Sequence, residues 1–411
     1  MPSPHIRVWA SVVLLAFVCV LNYLDRFLPA VLAEPIKADL GLSDTAIGVI
    51  NGFGFLAVYA LMGLVIARIA DRGAFGAVIA GCVTLWGLMT ALGGLAGSGL
   101  QLALTRMGVA VGEAGSVPAA HAYVARNFAP NRRAAPLAMI TMAIPVAGTA
   151  GFLGGGILAE TWGWRTTFII MGTVSVVLAP AVLALIGVRQ TLPAPPAATP
   201  WPALLRKRSF LAVVAGTSFM SMAGYALTTF TSAFLIRSHA MSLREVGLSY
   251  GISSGAAGIV GLLVVGRLAD RLAPRDPRWP LWLVVGLTGL LLPASALAFL
   301  VTDQAAAVTL LALSYAIGTS YLAPSIAAIQ RLARPQQRAT ASAIFLFFNA
   351  VCGALGPLLV GLISDALTPE LHGAALGQAL LFVVPAMQVL GIACYAGASV
   401  RYRDDLVEVG G

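Results

Sequence analysis

Polar positions in this 411-residue chain come in short clusters, and long apolar stretches run between them. A helix that crosses the hydrocarbon core of a bilayer needs about 20 predominantly apolar residues. Reading from one polar break to the next predicts twelve such helices, at 8–32, 45–69, 76–97, 99–125, 135–159, 164–188, 210–236, 244–268, 280–301, 305–330, 339–364 and 374–400. The breaks carry turn chemistry, as in DRGAFG, APNRR, RLAPRDPRWP and ARPQQR. Between spans 6 and 7 the stretch RQTLPAPPAATPWPALLRKRS is rich in Pro and Ala and reads as a linker. The fold expected is an all-α polytopic membrane protein: an N-terminal six-helix bundle (1–189), a cytoplasmic linker (190–208) and a C-terminal six-helix bundle (209–411).

Composition agrees. Hydrophobic residues make up 59% of the chain and charged residues 10%, too few charges to solvate a water-soluble surface of this size. The net charge of +9 does not indicate nucleic-acid binding, because the arginines are spread over connections with no basic run interleaved with aromatics. Of the 25 Lys and Arg residues, 19 fall in alternate connections, 4 in the others and 2 inside spans. The positive-inside rule then places both termini in the cytoplasm of a multi-pass protein of the cell (inner) membrane. The opening stretch lacks a small-residue cleavage site and is long enough to span, so it reads as an uncleaved first helix. Cys19, Cys82, Cys352 and Cys394 lie in apolar runs with no CxxC spacing and read as small hydrophobes.

The two halves echo each other. IARIADR (66–72) ends span 2 and VGRLADR (265–271) ends span 8, a repetition that marks secondary transporters built from pseudo-symmetric bundles. At these residues the chain resembles the major facilitator superfamily, whose signature loop reads G-x-x-x-D-R-x-G-R-R. The second copy keeps Gly266, Asp270 and Arg271; the first keeps Asp71 and Arg72 but has Ala67 for the leading Gly and no trailing basic pair. Within the superfamily, NYLDRFLPAVLAEPIKADLGLSDTAIGVI (22–50) and RMGVAVGEAGSVPAA (106–120) are similar to the Spinster-type transporters and their bacterial relatives. The resemblance implies a carrier of amphipathic lipids such as lysophospholipids and sphingosine phosphate, with proton coupling and a working monomer. It also implies a gating role for Asp71, Arg72, Asp270 and Arg271, with each acid capping a helix of the opposing half in one state, where a charge–dipole contact is worth about 0.3–1 kcal/mol. Turn capping is the competing reading of both acids.

The chemistry is concentrated in spans 1 and 4. Arg106 and Glu113 are seven residues apart, which on a helix leaves them about 20° apart around the axis and about 10 Å apart along it. Asp25 and Arg26 sit late in span 1, at similar depth. A lone charge at that depth costs at least about 2.5–3.5 kcal/mol, so such groups face a cavity and pair. Two readings follow: a fixed ion-pair clamp between spans 1 and 4, or a working site. The second assigns proton coupling to Asp25 and Glu113. It assigns binding of an anionic head group to Arg106, whose planar fork suits phosphate or carboxylate. Arg26 points about 100° away from Asp25 and is either a further head-group contact or a structural partner to a neighbouring span. His121, near the inner end of span 4, reads as satisfying a local hydrogen bond.

Spans 7 to 12 hold no deep charge but carry hydroxyls and rings, as in SFMSMAGYALTTFTSAF (218–234), SYAIGTSYLAPS (314–325) and FLFFNA (345–350). Tyr225, Tyr315, Tyr321 and Asn349 are the expected substrate contacts there. The function expected is a proton-coupled secondary transporter working by alternating access on an amphipathic, lipid-like anion, with protons and membrane lipid as its other partners. An organic-acid symporter or multidrug exporter is the alternative, and a ligand-binding receptor without transport is the alternative from another class. No Ser-His-Asp set, P-loop or metal-ligand cluster is present, so neither an enzyme nor a cofactor or metal is expected.

Overall fold

A computed structural model describes residues 4–70, 75–129, 132–187, 204–334 and 337–406. Among them the regular structure is helical throughout, with no strand. Asp71 and Arg72, and residues 190–203 of the expected linker, lie outside the described residues.

The elements follow the apolar pattern. In the first half they are α1 (Pro4–Val31), α2 (Ala33–Leu40), α3 (Asp44–Gly48), α4 (Gly54–Ala70), α5 (Phe75–Gly93), α6 (Gly99–Glu113), α7 (Ser116–Asn127), α8 (Ala134–Thr141) and α9 (Ala143–Ile186). In the second they are α10 (Arg208–His239), α11 (Leu243–Val246), α12 (Ile252–Leu272), α13 (Trp279–Leu297), α14 (Gln304–Ser320), α15 (Leu322–Leu332), α16 (Arg338–Gly353), α17 (Leu355–Leu371) and α18 (Ala375–Arg401). Nine stretches of the described residues are long and apolar enough to cross a membrane. Ala135–Ile186 and Thr340–Arg401 each hold two of the expected spans, and span 4, which is not among the nine, is supplied by two shorter helices, α6 (15 residues) and α7 (12 residues). The twelve expected helices are therefore present. Within α9 the chain reverses at Gly163, whose φ of 78° and ψ of 163° suit a residue without a Cβ.

Proline explains why four spans are broken. α6 gives way to α7 at Ala114–Gly115, α8 to α9 at Met142, α14 to α15 at Tyr321 and α16 to α17 at Ala354. Pro118, Pro145, Pro324 and Pro357 each follow within three or four residues. A proline has no N–H for the carbonyl four residues back, and its ring crowds that carbonyl, so the helix loosens there. These breaks occupy spans 4 and 5 and their counterparts 10 and 11. Spans 2 and 8 share another irregularity, a five-residue π-helical stretch at Val49–Phe53 and at Gly247–Gly251.

Two compact units result. One contains Met1–Leu42, Val49–Pro196 and Ser242–Gly251; the other contains Ser43–Gly48, Ala197–Met241 and Ile252–Gly411. In the first, α9 packs along α1 and α5, and α5 also packs on α6. Backbones touch where glycines allow it: a Cβ on Gly172 would stand 2.4 Å from the Gly87 carbonyl oxygen, and one on Gly112 would stand 2.6 Å from the Trp86 nitrogen. In the second unit α10 packs on α18 and α16 around Phe210, Phe345 and Tyr395, all buried. Side chains such as Leu100, Val177, Leu290 and Val400 are exposed, the apolar outer surface a bilayer requires.

The end of α18 is tied down by polar groups. Asp276 accepts from Arg278 (3.0 Å) and from Arg403 (2.5 Å). Lys207 Nζ donates to the carbonyls of Leu332 (2.9 Å) and Asp405 (2.6 Å), and the Asp405 carboxylate caps α10 through Ser209.

Candidate functional site: two arginine–carboxylate pairs at membrane depth

Arg106 and Glu113 share the face of α6 that meets α1, as their spacing predicts. Asp25 and Arg26 are neighbours on α1 and diverge, so each reaches a different partner. Arg106 Nη1 donates to Asp25 Oδ2 at 3.0 Å and Nη2 to the Asp25 carbonyl at 3.3 Å. Arg26 Nε donates to Glu113 Oε2 at 2.5 Å.

A polar shell holds both pairs. Thr90 on α5 donates to Asp25 Oδ1 at 2.8 Å. Arg26 Nη2 donates to Asn22 Oδ1 (3.2 Å), Asn22 Nδ2 donates to Ser116 Oγ (3.1 Å), and Ser116 Oγ donates to the Glu113 carbonyl (3.1 Å). This closes a ring through α1, α6 and α7. Span 2 adds aromatic faces. The Arg26 guanidinium carbon lies 4.3 Å from the Tyr59 ring centroid, 5.7 Å from that of Phe55 and 5.0 Å from that of Tyr23 on α1; Arg106 also lies 5.0 Å from Phe55. Cation–π contacts of this kind are worth about 0.5–2 kcal/mol each, more when desolvated.

Exposure differs from the cavity-facing placement expected of these residues. Asp25 is 4% exposed, Arg106 2% and Glu113 0%. Pairing makes these charges tolerable here: each carboxylate meets a guanidinium, Asp25 also accepts from Thr90, and each guanidinium lies against aromatic faces. Arg26 is the accessible member, with 15% of its side chain exposed. Satisfaction is incomplete. Glu113 Oε1 and Arg106 Nε are buried without a hydrogen-bond partner, and an unpaired buried polar atom costs about 1–3 kcal/mol, more when charged.

Asn22, Thr90, Ser116, Phe55 and Tyr59 were not anticipated. Asn22 lies one helical turn before Arg26, a spacing that points to it. Thr90 carries no such signal, since a lone Thr in an apolar span reads as packing. His121 is exposed on α7. Among the described residues no three His, Cys, Asp or Glu side chains gather to hold a metal.

The second unit brings some of its expected contacts together. Tyr321 OH donates to Asn349 Oδ1 at 3.0 Å, and Ser221 Oγ to the Asn349 carbonyl at 2.7 Å. Tyr225 lies against Gly353, and Tyr315 against Gly258, so α12 and α14 close together there. Tyr395, also not anticipated, sits 2.6 Å from both Thr217 Oγ1 and Ser325 Oγ. Asp270 and Arg271 are exposed near the end of α12. A separate polar knot surrounds the buried Asp44. Arg237 donates to both its carboxylate oxygens (2.8 and 2.7 Å), Ser364 donates to Oδ2 (2.7 Å), and Asp365 accepts from the N–H groups of Asp44 (3.0 Å) and Thr45 (2.8 Å).

Comparison with known proteins places this architecture. An MFS-type efflux pump of Mycolicibacterium smegmatis is 69% identical over 98% of this chain and 95% of its own length. The Homo sapiens protein spinster homolog 1 is 28% identical, over 87% of this chain and 73% of its own. The crystal structure of a bacterial homologue of the human lysosomal transporter Spinster, inward-facing and unoccupied, superimposes with a TM-score of 0.84 at 25% identity, covering all of both chains. The family model of the Major Facilitator Superfamily matches residues 15–393. This multi-pass membrane protein is a transporter rather than an enzyme, and the chain belongs to the Major Facilitator Superfamily.

Proposed function

We propose that the chain is a proton-coupled carrier that moves an amphipathic anion by alternating access, with the two arginine–carboxylate pairs as its working parts. The observation that supports this is the buried exchange between α1 and α6: two acids and two arginines, nearly sealed, with one Glu113 oxygen and one Arg106 nitrogen left unpaired. A cluster built only to clamp two helices would be expected to satisfy every polar atom.

In this reading Glu113 and Asp25 carry protons. A proton arriving on Glu113 removes the charge that holds Arg26, and the freed guanidinium takes the anionic head group. Arg26 makes the first contact because it is the exposed arginine; Arg106 follows when Asp25 gives it up. Tyr225, Tyr315, Tyr321 and Asn349 take the less polar part of the molecule, and Asp71, Arg72, Asp270 and Arg271 bias the gating equilibrium. The two six-helix bundles (1–189 and 209–411) rock as bodies joined by the linker, within a monomer whose termini face the cytoplasm. The efflux-pump relative is also compatible with an exporter of soluble organic compounds.

Uptake of a fluorescent lysolipid anion into proteoliposomes under an imposed pH gradient tests the proposal. Wild-type protein should respond to the gradient and Glu113→Gln should transport without responding to it. Undiminished gradient dependence in Glu113→Gln would exclude the proton role of Glu113.

A further inference from the structure

The surroundings of Arg26 have the chemistry of a site for an organic cation. Three aromatic rings, Tyr23, Phe55 and Tyr59, have their centroids 4.3–5.7 Å from its guanidinium carbon. A buried carboxylate, Glu113, closes one end at 2.5 Å. Aromatic walls with a carboxylate are how proteins recognise ammonium and guanidinium ligands, because ring faces and the acid both carry negative potential. Here the occupant is part of the chain.

Two features show that Arg26 fills this site imperfectly. It meets Glu113 through Nε and Oε2, while its Nη2 turns to Asn22, so the two-point fork available to a guanidinium and a carboxylate is not formed. Glu113 Oε1 stays buried without a hydrogen-bond partner. The site is also reachable: Phe55 and Glu113 form a buried floor, whereas Tyr23, Arg26 and Tyr59 are half-buried.

We infer that Tyr23, Phe55, Tyr59 and Glu113 form a cation-binding cage that Arg26 occupies as an internal surrogate, and that a lipophilic organic cation with a guanidinium-like head competes with Arg26 for it. A planar head entering the cage can lie on Tyr59 and Phe55 and donate to both Glu113 oxygens, and its alkyl tail would stay in apolar surroundings. The displaced Arg26 swings toward solvent. Because the internal occupant must leave first, the apparent affinity for such a cation is reduced by the fraction of time the cage is empty. This goes beyond the anion carrier proposed above and does not depend on it.

Calorimetric titration of the protein in lipid nanodiscs with octylguanidinium tests the inference, with octyltrimethylammonium, octyl phosphate and octyl glucoside alongside. Arg26→Ala should bind octylguanidinium about tenfold more tightly than wild type, as removal of a competing occupant requires. Adding Phe55→Leu to that variant should abolish the gain. Octyltrimethylammonium, which has rings to meet but no N–H to donate, should gain less. Tyr59→Leu in the otherwise native chain, which keeps the Arg26–Glu113 pair, should weaken octylguanidinium binding and leave octyl phosphate unaffected, and this arm stands even if Arg26→Ala does not fold. Unchanged or weaker octylguanidinium binding in folded Arg26→Ala, or in Tyr59→Leu an affinity equal to wild type, would overturn the cage. Loss of octyl phosphate binding in Arg26→Ala bears on the anion carrier alone, so the two proposals fail separately.

Discussion

Removing Arg106 should damage the protein more than removing Arg106 and Asp25 together. In Arg106→Leu, Asp25 remains 4% exposed, with Thr90 on one oxygen and nothing charged to balance it. Breaking a buried ion pair from one side costs about 3–5 kcal/mol, because the surviving charge is left uncompensated. Asp25→Leu leaves Arg106 in the mirror situation, with the backbone carbonyl of residue 25 at 3.3 Å and the Phe55 ring at 5.0 Å but no opposite charge. The double variant removes both charges and fills the space with apolar atoms, a change that is often neutral or stabilising in other buried pairs. Each single variant should therefore melt on the order of 10 °C below wild type, taking about 2–4 °C per kcal/mol for a body of this size. The double variant should stay within a few degrees. Thermal unfolding in detergent, followed by a thiol-reactive dye, is suited to the purpose, since Cys19 and Cys82 are free and buried. The double variant should be folded and fail to transport, because the proposed carrier cycle uses both charges. Two single effects below about 1 kcal/mol, or a double variant equal to their sum, would refute the buried-pair energetics.

Two further outcomes follow from the second unit. Tyr395→Phe removes a hydroxyl that lies 2.6 Å from both Thr217 and Ser325 in a fully buried position. It should cost about 1–3 kcal/mol in the same melting assay, with unchanged expression of the helical signal. Beside the end of α18, hydrogen bonds from Arg278, and then from Arg403, hold the Asp276 carboxyl well below its ordinary range. A carboxylate with a depressed folded value contributes stability above its unfolded value of about 4, and that contribution is lost as pH falls through the folded value. Melting temperature should fall from pH 6 to pH 3 more steeply in wild type than in Asp276→Asn.

The span count was legible because the signal is long: 20 apolar residues cannot be mistaken for a short core element, and sparse charge left no soluble alternative. Helix periodicity placed Arg106 and Glu113 on one face for the same reason. Pairing was not legible. Asp25 and Arg26 are adjacent, and which of them meets Arg106 depends on how α1 is rotated against α6, a few tens of degrees that no spacing within one helix fixes. Thr90 reaches Asp25 from a third helix, and the aromatic faces come from a fourth, so tertiary packing alone assembles them. The glycine contacts at Gly87, Gly112 and Gly172 decide how closely those helices approach. The π-helical stretches at Val49–Phe53 and Gly247–Gly251 were equally hidden, as one extra residue per turn leaves an apolar run looking the same. Burial was the largest difference: the charges were expected to face a cavity, and their pairing, with Thr90 and the aromatic faces around them, allows them to be almost sealed.

Proton exchange on ligand binding tests the central claim most directly. Wild-type protein in weakly buffered detergent should change the bulk pH when a lysolipid anion is added, and Glu113→Gln should bind the same ligand with that change reduced or lost. An equal pH change in both, or none in wild type despite binding, would mean that the Arg26–Glu113 pair is only a clamp.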